Sequence, residues 1–199
     1  MGTLAIGSCA GALLAGCAGG QGALINKSPK QLVLSVGQIP YPGFVVESGS
    51  ASAGVYSNRR AAGGSAAVLR KLEAAGRITG YQADFDRSLS PQQAVGPVVI
   101  ESSAATYRSD AGAAAGLRVV AEQARSAGGV QISTGKLGDQ AVGFTLQKQF
   151  DGTSYEAFVV AWRQQNVVAG IQIEGNAATL DVNYAVDLAQ LQQRQIARA

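Results

Sequence analysis

Polar and apolar residues alternate from Tyr81 to Asp86: Tyr81, Ala83 and Phe85 fall on one side of an extended backbone, and Gln82, Asp84 and Asp86 on the other. Residues two apart share a face of a strand, so this stretch predicts a half-buried strand with a solvated outer face. Before it, Ser65 can cap a helix on which Val68, Leu69, Leu72 and Ala75 share a side, and Gly76 is a natural stop. Upstream, residues 31–36 form a short apolar run, helix or strand, followed by the turn-rich residues 38–43 and a short strand over 44–47. Residues 48–65 are rich in Ser, Ala and Gly and contain Arg59 and Arg60. They read as a long loop, a length that inside a compact domain points to mobility or function.

Downstream, Pro97 to about Tyr107 predicts a second strand, and Asp110 is placed to cap a helix bearing Leu117, Val120 and Ala124 on one side. After Gly128-Gly129 the pattern predicts three antiparallel strands. Val142, Phe144 and Leu146 alternate with polar residues, Asp151-Gly152 is a hairpin turn, and residues 155–163 are apolar on both faces and hence central. Val167, Ala169, Ile171 and Ile173 alternate again, and Asn176 would cap a final helix carrying Leu180, Tyr184, Leu188 and Leu191. The succession predicts an α+β two-layer sandwich, an antiparallel sheet of about five or six strands with helices packed on one face.

Composition narrows the chemistry. The chain of 199 residues is 47% hydrophobic and 15% charged, sufficient for one domain with a good core. It has no histidine, which excludes imidazole-based zinc sites and histidine-dependent nucleophilic triads. Sixteen basic against thirteen acidic residues, spread along the chain, are too weak a bias for nucleic-acid binding. Both cysteines, Cys9 and Cys17, lie at the N-terminus, so the domain contains no thiol for a disulfide or metal, and no cofactor is expected.

Residues 1–26 carry no charged side chain, and their short apolar run ends in small residues, the pattern of an export signal. The n-region Met1-Gly2-Thr3 departs from that pattern in lacking Lys or Arg. Leu14-Ala15-Gly16-Cys17 resembles the lipobox of bacterial lipoproteins, in which cleavage precedes an acylated cysteine. The resemblance implies residues 1–16 as signal peptide, Cys17 as lipid attachment site, 17–30 as a flexible tether and 31–199 as a single domain on the extracytoplasmic face of the cell membrane. Ala18 stands where such lipoproteins carry aspartate when retained at the inner membrane of two-membrane cells. "AAGRITGYQADF" (74–85) and "WRQQNVVAGIQI" (162–173) resemble runs in PsbP/Mog1-like and other exported lipoprotein domains, a resemblance of pattern that implies no activity.

Candidate chemistry in the domain is sparse. Asp84 and Asp86 sit roughly 7 Å apart on one strand face, a spacing that suits acid–base work or weak calcium binding but also a solvated face beside Arg87. Residues 129–136 fail as a phosphate loop, with five residues between the glycines and Leu137 where Ser or Thr is needed. Gly112 and Gly116 point to close helix packing, and Trp162 to core. Arg59 and Arg60 are candidates for contacting anionic headgroups or an acidic partner. The expected function is a lipid-anchored binding or accessory domain, not an enzyme, whose partner is an envelope protein or a small apolar ligand. The alternatives are a structural envelope lipoprotein and a hydrolase using Ser/Lys or carboxylates. The anchor is tested directly: Cys17→Ser abolishes labelling by a fatty-acid analogue and leaves an unprocessed precursor, while Cys9→Ser changes neither.

Overall fold

The computed structural model describes residues 24–46, 53–88, 95–150 and 153–199. In chain order these form β1 (Phe44–Val46), β2 (Gly54–Val55), α1 (Asn58–Ala61), α2 (Ala66–Ala74), β3 (Arg77–Arg87), β4 (Pro97–Tyr107) and α3 (Asp110–Ser126). They continue with β5 (Val130–Ile132), β6 (Gln140–Phe150), β7 (Thr153–Gln164), β8 (Val167–Asn176) and α4 (Val182–Ile196). Residues 31–36, open between helix and strand on sequence, are neither: Gln31 ends one short 3₁₀ turn, Pro29–Gln31, Val36 begins another, Val36–Gln38, and residues 32–35 connect them.

The strands pair antiparallel in the order β1-β3-β4-β8-β7-β6-β5, with β2 also on β3. Eight strands among the described residues exceed the expected five or six: β1 matches the short strand read over 44–47, while β2 and β5, of two and three residues, are too short to give a period-two pattern. The β6–β7 register places Phe150 opposite Thr153, as a two-residue connection requires; Asp151 and Gly152 themselves lie outside the described residues.

Helices on one face of the sheet is a second expectation the structure corrects. Ile100, Val160, Trp162, Ile171 and Ile173 bury one face against Leu188 and Ala189 of α4 and against Leu32 and Leu34 of the N-terminal segment. Ala105, Tyr107 and Val168 bury the other face against Ala113 and Leu117 of α3 and Ala75 after α2. The sheet is therefore a middle layer. Its alternating strands carry enough apolar or small residues on both sides to be covered twice, which a reading that assigned Gln82 and Asp84 to solvent missed.

Polar groups lock the layers. Ser102, fully buried, accepts the Leu34 amide at 3.0 Å and donates to Gln192 Oε1 of α4, whose Nε2 donates to the Ser103 carbonyl. Asn166 accepts the Ile25 amide at 2.8 Å and donates to the carbonyls of Ile25 and Tyr107. Residues 24–30, assigned to the tether by sequence, thus contain buried, hydrogen-bonded positions at Ile25 and Pro29.

Two caps also move. Ser109, not Asp110, is extended and accepts the Gly112 amide at the start of α3, because Asp110 is already helical. Asp181, not Asn176, caps α4; Asn176 ends β8 and accepts the Ala178 amide in a turn. Gly112 and Gly116 do serve close packing: a Cβ would collide with the Ala75 carbonyl oxygen at the first and with the Tyr107 hydroxyl at the second. Gly116→Ala should therefore cost about 2–3 kcal/mol in urea unfolding through overpacking, whereas Ala111→Gly, exposed on the same helix, costs about 1 kcal/mol.

Candidate functional site

Where α3 crosses the sheet, the facing side chains are small: Ser103 and Ala105 on β4, Ala157 and Ala161 on β7, Gly170 on β8, and Ala124 and Ala127 at the end of the helix. Side chains this short cannot bridge the gap between a helix and a sheet. They leave a cavity of about 390 Å³, within the range of small-ligand sites. Val120, Leu146, Val159 and Val168 give it apolar walls, and Leu72 and Ala61 close it from the side of α2 and α1.

One end is polar, and the ladder explains why. Asp84 on β3 pairs with Glu101 on β4, which pairs with Gln172 on β8, so three polar residues from three strands form one row on the cavity side. Burial pushes the Glu101 carboxyl up from 4.5 to about 7, with Asp84 and then Glu174 adding repulsion and Arg60 opposing it. Gln82 donates to Asp84 at 3.0 Å, and both are buried.

Beside this row stands a cationic cluster. The guanidinium groups of Arg60 and Arg77 each lie 5.5 Å from the centre of the Tyr56 ring. Arg77 is buried and donates to Asn58 Oδ1 at 2.8 Å; burial lowers its pKa, partly offset by Tyr107 and Tyr56. Burial raises the Tyr107 phenol while Arg77 draws it back. Tyr56 is raised by burial first and by Glu101 second. Arg60 uses Nη1 to hold the carbonyls of Ala53 and Val55, and its buried Nη2 has no hydrogen-bond partner among the described residues.

The sequence-predicted residues scatter across this arrangement. Arg60 belongs to the cluster, but Arg59 is exposed on α1 and does not join it. The expected long loop over 48–65 holds β2 and α1 in its described part, from residue 53 onward. Asp84 is buried at the cavity row instead of on a solvated face, while Asp86 is half-buried one row further on, opposite Val99. Among the described residues no three Asp, Glu, His or Cys side chains gather where they could hold a metal. Trp162 is fully buried on the opposite face, as a core residue. Cys17 lies outside the described residues. Glu101, Arg77 and Tyr56 were missed. The available signal was Glu101 as the one charge within the apolar and small residues of 97–107.

The Glu101 shift has a definite sign. A carboxyl raised in the folded state is ionised first in the unfolded chain, so stability falls as pH climbs from about 4.5 to about 7 and stays reduced above. Glu101→Gln should be neutral at pH 4 and stabilising by about 2 kcal/mol at pH 8 by urea denaturation.

No family model and no curated protein matches this chain. Among solved structures, the fold is similar to the extracellular domain of the kinase PknH from Mycobacterium tuberculosis, with a TM-score of 0.58 and 10% sequence identity over 87% of this chain and 98% of that one. At this identity the likeness is one of architecture.

Proposed function

We propose that the chain is an exported, lipid-anchored binding domain that takes an apolar molecule with a polar head group into the cavity between α3 and the sheet. The observation that carries this reading is the cavity itself: about 390 Å³, largely apolar walls, and polar groups at Glu101, Ser103 and Gln172, with Tyr56 and Arg77 also on the lining. Glu101, with a pKa of about 7, accepts a hydrogen bond as carboxylate and donates one as acid, which suits a hydroxyl, amide or amine head. Export is supported by the lipobox-like Leu14–Cys17, by the uncharged N-terminus and by the architecture shared with an extracellular domain. Among the described residues no helix is long and apolar enough to cross a membrane; attachment in this reading rests on the lipobox-like Leu14–Cys17. The cavity favours this reading over a structural envelope lipoprotein without a ligand.

A second reading, a carboxylate-dependent hydrolase, is favoured by one observation, the cross-strand pairing of Asp84 with Glu101. The two readings separate experimentally. Titration with the fluorescent apolar probe N-phenylnaphthylamine should saturate, and Val120→Phe with Val159→Phe, which fill the cavity, should weaken it roughly tenfold or more while the melting temperature holds. Failure of the filled variant to weaken the probe sinks the binding reading. Ester turnover by the wild type that Glu101→Gln removes without affecting probe affinity supports the hydrolase.

A further inference from the structure

We infer that Lys27, Arg194 and Arg198 form a docking surface for a membrane with anionic lipid headgroups, on the side of the domain opposite the ligand cavity. The inference rests on the reading of Cys17 as the membrane anchor only for its proximity argument; the surface itself is read from the fold. Arg194 lies in the last turn of α4 and Arg198 just past its C-cap Ala197, and both line one cleft. The N-terminal segment runs against this end and brings Lys27, whose Nζ donates to the Arg198 carbonyl at 3.3 Å. Gln195 fixes the segment by donating to the carbonyls of Gln31 and Val33 and accepting from Gln38. A cleft of about 450 Å³ between them is lined by Lys27, Gln38, Leu191, Arg194, Gln195 and Arg198.

Side-chain charge is one-signed here. Neither residues 24–46 nor residues 188–199 contain an acidic side chain, and all three cations are exposed. None of the three is in an ion pair among the described residues. Lys30, near the Tyr81 ring at 6.0 Å, adds a fourth cation on the same segment. The nearest acid along α4 is Asp187, roughly 10 Å up the helix axis from Arg194.

The choice of a lipid surface over another polyanion follows from position. Lys27 lies ten positions after Cys17, a length that spans at most roughly 35 Å in any conformation. An acylated Cys17 therefore keeps this face within reach of headgroups at all times. The cavity, on the other face of the sheet under α3, stays free for its ligand while α4 rests on the membrane.

The test uses the mature chain from residue 17 carrying Cys17→Ser, so that no acyl chain contributes, and vesicles of phosphatidylcholine with or without 30% phosphatidylglycerol. Sedimentation should show binding to the anionic vesicles alone. Lys27→Gln, Arg194→Gln and Arg198→Gln together should lower the partition coefficient roughly 100-fold, at about fivefold per charge. Arg70→Gln, Arg108→Gln and Arg118→Gln, an equal change in net charge on the opposite face, should leave it within a factor of about three. Matched melting temperatures exclude unfolding as the cause. Absence of binding to anionic vesicles, or equal losses in the two triple variants, overturns the inference. Fatty-acid labelling of Cys17 is scored separately, so a failed anchor and a failed surface give different results.

Discussion

The ladder between β4 and β8 is the contact on which the architecture depends. It pairs residues 97–106 with residues 167–175 and joins β1–β4 to the later meander β5–β8 in one sheet. The backbone groups of β4 and β8 that face each other are satisfied only by partners far along the chain, so neither half is a complete sheet without the other. The polar locks gather on the same two strands. Ser102 ties β4 to α4 and the N-terminal segment, and Asn166, just before β8, ties the end of β4 to Ile25.

The two faces of this sheet are covered by different means. Under α4 the residues are large, Trp162, Ile171, Ile173 and Phe158 among them, and the layer is filled. Under α3 the helix approaches closely at Gly112 and Gly116, where it touches Ala75 and Tyr107, while further along the facing residues are alanine, serine and glycine. Close approach at one end and short side chains at the other leave an opening instead of a packed core. The cavity is a consequence of which side chains are missing, not of any special loop.

Electrostatics then gives the opening a direction. Glu101 sits next to Asp84 in a row with little solvent, and its proton is held to near neutral pH, while Arg77 and Arg60 flank Tyr56 at the adjoining wall. Buried charges of both signs are expensive unless each has partners. Here Asn58, Tyr107, Tyr56 and the carbonyls of Ala53 and Val55 supply most of them, and the buried Arg60 Nη2 has no hydrogen-bond partner among the described residues. A polar end of this kind orients a guest that the apolar walls alone would hold in any pose.

Much of the secondary structure was legible because it depends on local periodicity. The alternation over 81–86 and 142–146, the Ser65 cap with its Gly76 stop, and the paired glycines of α3 each carry a physical signal within a few residues. The absence of histidine and of thiols in the domain was equally a property of the sequence, and it bounded the chemistry before any fold was known. What the sequence did not determine was the second layer of helices and hence the fate of Gln82, Asp84 and Glu101, since a polar residue on a strand looks the same whether water or a helix faces it. Burial of Asp84 requires α1, α2 and Tyr56 to come over β3, and the row Asp84–Glu101–Gln172 requires the β4–β8 register. Those are contacts between distant segments, set by how the whole chain packs, and only the tertiary structure decides them.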